Sequence, residues 1–203
     1  MNRILGVDGP VWEFLGKMTD VMILSLLFIL TSLPVFTIGA SLTALYIMMF
    51  RLSDDTEGSV IKGYFRAFKE NIKRVTPVFL LMLFVLLFLM GDLYITAFTD
   101  MPGGRFFMPA AVIFLIIYLF FWHYFFPLFS KLKLPLKKIL MLSFLMPVRE
   151  LPRTVFMLFI SFIMICVGVF VCAPFLLVVP GVVAFSHALL FRGVFLKLSK
   201  DEL

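Results

Sequence analysis

Long runs without a charged residue dominate the chain. Four segments contain no Asp, Glu, Lys or Arg, and together they cover more than half of the 203 residues. A charge at the centre of a membrane-spanning helix costs roughly 2.5 to 3.5 kcal/mol, and such a helix needs about 20 residues. The pattern therefore predicts membrane helices in four runs: Val21–Phe50, Val75–Gly91, Phe106–Ser130 and Thr154–Phe191.

Proline and glycine divide two of these runs. Thr154–Phe191 has room for two crossings, separated near Pro180, because proline removes a backbone donor and clashes with the preceding turn. Val21–Phe50 is interrupted at Pro34 and Gly39; it is too long for one straight helix and short for two full crossings. We expect a first helical hairpin that tilts, thins the bilayer or re-enters without crossing fully.

The predicted fold is an all-α polytopic transmembrane helical bundle of five or six segments in a single integral-membrane domain, residues 1–203. Three helical hairpins are expected, each preceded by an amphipathic or basic stretch, the first of which lies within residues 11–17. The expected spans are about 19–33, 40–50, 75–98, 106–130, 154–172 and 175–191, and the cytoplasmic amphipathic or basic segments are 60–74 and 136–153.

Composition excludes a water-soluble globular protein. The chain is 63% hydrophobic and only 15% charged, and its mean hydropathy is +1.12. Cys166 and Cys172 are six residues apart and fall on different sides of a helix. They indicate neither a disulfide framework nor a metal site.

Basic residues predict the orientation. With both termini inside, 17 of the 18 Lys and Arg residues fall in cytoplasmic segments, and Arg105 alone faces outward. Positively charged loops stay on the cytoplasmic side. We therefore expect a multi-pass protein with both termini cytoplasmic.

The N-terminal third carries a family resemblance. The specific parts are "LPVFTIGASLTALY" from Leu33 to Tyr46 and "AFKENIKR" from Ala67 to Arg74, within the longer matches Gly9–Tyr46 and Tyr64–Arg74. They resemble the YesL family of bacterial integral-membrane proteins of unknown function, whose members are often encoded beside carbohydrate ABC importers. The resemblance implies a location in the bacterial cytoplasmic membrane and a role in sugar uptake.

Motifs for catalysis are missing from the sequence. It contains no P-loop lysine, no HExxH, no GxSxG and no paired intramembrane carboxylates. We predict a protein that is not an enzyme, with no cofactor, no metal and no nucleic-acid partner.

Hydroxyl side chains cluster around the predicted break in the first hairpin. A broken membrane helix frees backbone groups, and nearby hydroxyls can bind either these groups or a substrate hydroxyl. The alternative is that hydroxyls and small residues pack the helices together. The candidate residues are Pro34, Thr37, Gly39, Ser41 and Thr43, with Thr31 and Ser32 beside them.

Two histidines lie in apolar segments. His123 and His187 are at similar helical distances from Lys131 and Arg192, so they could share one layer of the bundle. They are candidates for a titratable pair that lines a cavity. In the alternative, each imidazole makes one interhelical hydrogen bond or meets the membrane interface. Trp122, Tyr118 and Tyr124 are expected as interface aromatics.

The segment 60–74 has an apolar stripe at helical spacing and a basic remainder. We expect a helix that lies flat at the cytoplasmic surface and contacts either anionic lipid or a partner protein. The candidate contact residues are Tyr64, Phe65, Arg66, Phe68, Lys69, Lys73 and Arg74.

The preferred functional hypothesis is a membrane protein accessory to oligosaccharide ABC import, which binds the lipid bilayer and the permease subunits. The alternatives are a small stand-alone transporter or channel, and a membrane-surface scaffold. The sequence leaves the oligomeric state and the sugar open.

Overall fold

The computed structural model describes residues 10–56, 58–98, 104–170 and 173–201, and all regular structure in these ranges is helical. Two 3₁₀ turns, Val35–Thr37 and Ala173–Leu177, precede the second and the last helix. The α-helices are α1 (Pro10–Ser32), α2 (Ile38–Ser53), α3 (Val60–Phe98), α4 (Gly104–Lys131), α5 (Leu136–Arg149), α6 (Leu151–Phe170) and α7 (Val179–Asp201).

Most of these helices have membrane-spanning dimensions. One apolar helix, Val179–Phe195, is shorter: it has 17 residues and is about 25 Å long, slightly less than the thickness of the hydrocarbon core, about 30 Å. The prediction of an all-α polytopic bundle is confirmed. Five segments of the described chain are long and apolar enough to cross a bilayer: Phe14–Ser32, Val35–Ser53, Val60–Phe98, Phe107–Lys131 and Leu151–Phe170.

Helix α3 joins two segments that the sequence predicts to be separate. The predicted surface segment 60–74 and the span 75–98 form one helix of 39 residues, about 58 Å long. The prediction of a separate, flat surface helix is wrong because nothing near residue 75 ends the helix, and Pro77 is accommodated inside it. In the second half of the chain, by contrast, α5 is a separate helix, and Glu150 divides it from α6.

Helix α2 is the buried centre of the bundle and packs against α1, α3, α4 and α7. Small residues allow this close approach. A Cβ atom added at Gly39 would lie 2.5 Å from the Cβ of Phe79 on α3, and Ala40 and Ala44 are fully buried. Gly39 is the second residue of α2, so the prediction that it forms part of the break is wrong; it permits helix contact instead.

Ion pairs connect four chain segments at one end of the bundle, which we call the charged end. Asp54, just after α2, lies 2.5 Å from the Lys131 Nζ and 3.7 Å from the Arg192 Nε. Asp55 lies 2.6 Å from the Lys17 Nζ. The N-terminal segment, the two loops and the C-terminal segment that were predicted to be cytoplasmic therefore all meet here.

Helix α2 contacts the end of α4 at two places. The Ser130 hydroxyl donates to the Thr43 carbonyl at 3.2 Å, while its neighbour Lys131 reaches Asp54. The end of α4 therefore contacts both the first half of α2 and the residue that follows this helix.

Candidate functional site

The predicted break in the first hairpin is present at residues 33–37. Helix α1 ends at Ser32 because the residue before a proline avoids helical geometry. The Thr37 hydroxyl donates to the carbonyl oxygens of Thr31 and Pro34, each at 2.6 Å, and the Thr37 amide donates to Pro34 at 2.9 Å. The chain thus satisfies the carbonyls of Thr31 and Pro34 itself, as a hydrocarbon environment requires.

The tip of this hairpin is apolar and uncovered. Leu33, Val35 and Phe36 are each more than half exposed. Loops that emerge into water are usually polar, whereas an apolar tip with satisfied backbone groups is suited to lipid. The tip is therefore suited to the re-entrant form of the predicted hairpin.

The remaining hydroxyls of the break bind their own helix. Ser41 donates to the Thr37 carbonyl at 3.0 Å and Thr43 to the Gly39 carbonyl at 2.8 Å, and both side chains are buried. Ser32 Oγ is buried without a partner among the described residues. The arrangement favours the packing alternative over a substrate cavity.

The two histidines do share one layer. The ring centres of His123 on α4 and His187 on α7 are 5.6 Å apart. His123 Nδ1 lies 3.3 Å from the Leu119 carbonyl; since a carbonyl only accepts, this nitrogen carries the proton and donates. The sequence therefore located the pair correctly.

His187 is bonded on both ring nitrogens. Ser161 donates its hydroxyl proton to the Met157 carbonyl at 2.9 Å, so its oxygen accepts from the His187 Nε2–H at 3.1 Å. Nδ1 is then the acceptor, and the Tyr46 hydroxyl donates to it at 3.0 Å. A neutral imidazole in the Nε2–H tautomer satisfies every polar atom of this buried group.

The first part of α3 has one buried side and one exposed side. Tyr64 is fully buried, and its hydroxyl donates to the Thr31 Oγ1 at 2.7 Å, because Thr31 itself donates to the Leu27 carbonyl. The prediction that Tyr64 contacts a partner is wrong. Phe68 is partly buried against the core. No local periodicity could reveal that Tyr64 meets a threonine 33 residues away.

An exposed strip remains on the same part of α3. Its members face away from the bundle and combine two apolar side chains with three lysines. We call it the α3 basic face: Ile61, Lys62, Phe65, Lys69 and Lys73.

The α4 aromatics belong to the interior. The Tyr118 hydroxyl donates to the Met82 carbonyl on α3 at 2.6 Å, and Tyr124 pairs with the Thr154 hydroxyl at 2.8 Å. Trp122 is partly buried against the core. The prediction of interface aromatics is wrong for Tyr118 and Tyr124, because their hydroxyl groups find partners inside the protein.

Sequence reasoning missed a basic cavity of about 530 Å³ at the charged end, between α2, α3 and the connection from α4 to α5. Its charged lining includes two predicted contact residues, Arg66 and Arg74. One feature of the sequence could have indicated the cavity: the basic residues that bound several charge-free runs are among those that line it. In the described part of the chain, no three His, Cys, Asp or Glu side chains gather as metal ligands.

Fold and site together define an all-α polytopic membrane protein whose largely apolar core contains hydrogen-bonded polar side chains. The sequence family described as "Protein of unknown function, DUF624" matches residues 21–93. This region holds the hairpin break, α2 and most of α3. No curated protein and no solved structure matches the chain.

Proposed function

We propose that this protein is a non-enzymatic accessory component of carbohydrate ABC import in the bacterial cytoplasmic membrane. It binds the permease subunits of an importer, and both of its termini lie on the cytoplasmic side. The family match over residues 21–93 overlaps the segments that resemble the YesL family, and the genomic association of that family with carbohydrate importers supports this role.

The observation that carries the proposal concerns the polar groups inside the bundle. A stand-alone transporter or channel needs polar groups that face an aqueous path. Here Thr37, Ser41 and Thr43 donate to backbone carbonyls, and His187 is bonded on both nitrogens. These groups stabilise the fold, which favours an accessory protein over a transporter.

The α3 basic face is the surface that we assign to the importer. Ile61 and Phe65 are 51% and 39% exposed, so their apolar area is left for a groove in a partner. Lysines on either side can pair with acidic groups. Because the other side of the same helix is buried in the bundle, α3 would hold this face rigidly.

The test is purification of the tagged full-length protein in mild detergent from cells grown on the oligosaccharide. We expect importer permease subunits to co-purify, and we expect a deletion strain to grow more slowly on that sugar. The double variant Ile61→Ala with Phe65→Ala should lose these subunits while it stays in the membrane.

A matched control is available on the same helix. Leu80 and Phe84 are also four residues apart and exposed, but they lie in the apolar part of α3. Leu80→Ala with Phe84→Ala should keep the permease subunits bound. Equal recovery of the subunits with both double variants would refute the assignment of the α3 basic face.

A further inference from the structure

Three charge-free runs end at the basic cavity. Arg51 follows Val21–Phe50, Arg74 precedes Val75–Gly91, and Lys131 follows Phe106–Ser130, and all three basic residues line the cavity. Since charge-free runs are suited to the hydrocarbon core, we expect the cavity at the depth of the lipid phosphate groups.

The charge of the cavity is strongly positive. Lys131 is paired with Asp54, and the Arg74 guanidinium lies 5.5 Å from the centre of the Phe129 ring. Within the described ranges, the other cations of the lining form no ion pair with a carboxylate. The charged lining consists of five cations and one carboxylate: Arg51, Arg66, Arg74, Lys131, Lys133 and Glu70.

Apolar side chains line the same cavity. Phe129 and Ile139 are buried, and Ile47 is partly buried beside them. A free phosphate ion would gain nothing from these contacts. A ligand that joins a phosphate to apolar chains would use both parts of the lining.

We propose that this cavity binds the headgroup phosphate of an anionic phospholipid. One guanidinium group can bind two phosphate oxygens through two parallel hydrogen bonds. Basic pockets between membrane helices on the cytoplasmic side are suited to lipid headgroups. The unpaired cations Arg51, Arg66 and Lys133 surround the phosphate, and the glycerol and the first methylenes contact Phe129 and Ile139. This inference does not depend on the proposed function.

The test uses the full-length protein in nanodiscs of phosphatidylcholine. The shift of the unfolding temperature is measured as phosphatidylglycerol replaces part of the phosphatidylcholine and, in a separate arm, as inorganic phosphate is added. We expect phosphatidylglycerol to raise the unfolding temperature and phosphate alone to leave it unchanged. Native mass spectrometry should show one retained phosphatidylglycerol on the purified protein.

Variants separate a built site from general attraction of lipid to a basic protein. Arg66→Gln with Lys133→Gln should weaken apparent affinity for phosphatidylglycerol about tenfold. The control Lys62→Gln with Lys69→Gln removes the same charge outside the cavity and should change it by less than about twofold. Arg66→Lys with Lys133→Arg keeps the charge and should keep most of the binding, which guards against misfolding of the first variant.

Two results would overturn the proposal. Equal weakening by the cavity variant and the control would show that the lipid responds only to overall charge. Inorganic phosphate could also stabilise the protein as much as phosphatidylglycerol does. This result would assign the cavity to a soluble phosphate and exclude a phospholipid as its ligand.

Discussion

Tyr46 of α2 and His187 of α7 share a hydrogen bond of 3.0 Å between the phenolic oxygen and the ring Nδ1. The two residues are 141 positions apart in the sequence. Through Ser161 the same imidazole also reaches α6. One buried side chain therefore ties the centre of the bundle to both helices of the last hairpin.

Tyr46→Phe should destabilise the protein by about 1 to 3 kcal/mol, because it leaves the buried Nδ1 of His187 without a donor. The free energy of unfolding in mild detergent measures the effect. Tyr94→Phe is the control, since Tyr94 is 66% exposed and surface changes usually stay within about 0.5 kcal/mol. The same loss in both variants would mean that the bond to His187 contributes nothing.

Gly39→Ala should cost about 1 to 3 kcal/mol, because the new methyl group would overlap Phe79 and push α2 away from α3. Gly91→Ala is the matched change, since a Cβ there would meet nothing within 4 Å. It should leave stability unchanged or slightly raised. Thermal unfolding of the two purified variants is measured side by side. Equal unfolding temperatures would show that the close approach of α2 to α3 does not depend on Gly39.

Thr37→Val should destabilise the first hairpin by about 1 to 3 kcal/mol, because the Thr31 carbonyl loses the hydroxyl that satisfies it, whereas the Pro34 carbonyl keeps the Thr37 amide. Thr19→Val removes a hydroxyl that bonds only to its own helix and is exposed, so it should have little effect. Unfolding free energies again provide the measurement, and a stable Thr37→Val protein would show that other groups hold the break.

Single cysteines can test the topology in a background where Cys166 and Cys172 are replaced by alanine. In intact cells, an impermeant thiol reagent should label Gly103→Cys and leave Ser59→Cys unlabelled. Gly103 lies outside the described residues, and its position is predicted from charge alone. Outside labelling of Ser59→Cys would reverse the predicted orientation.

The hairpin tip gives a further test in the same background. We expect Val35→Cys to resist the reagent from both sides of the membrane, because the tip is apolar and the first hairpin is predicted to tilt or re-enter. Labelling from outside would show that the first hairpin crosses fully.

The sequence predicted the fold class because charge-free runs and prolines are local signals. The break before Thr37 and the common layer of His123 and His187 both follow from helical rise and from proline geometry. The continuity of α3 was missed because Pro77 and the charges before it indicate a boundary that the helix does not have.

The missed features depend on contacts between distant residues. Tyr64 forms a hydrogen bond with Thr31, and Gly39 allows the close approach of Phe79. Local spacing in the sequence indicates neither contact. The basic cavity was missed because Arg51 and Lys131 were assigned to separate loops, and only the folded chain brings them to one place.

The hydroxyls of α2 also bear on how the protein is made. Ribosomes deliver α2 to the membrane well before α4 and α7 exist, so this helix must wait in lipid without most of its neighbours. Because Ser41 and Thr43 already donate to carbonyls of their own segment, neither hydroxyl is left as a lone donor in hydrocarbon during that interval. Tyr46 is different, because its acceptor, His187, is synthesised 141 residues later. The hydrogen bond between Tyr46 and His187 can therefore form only when the last helix arrives, and its formation marks the completion of assembly.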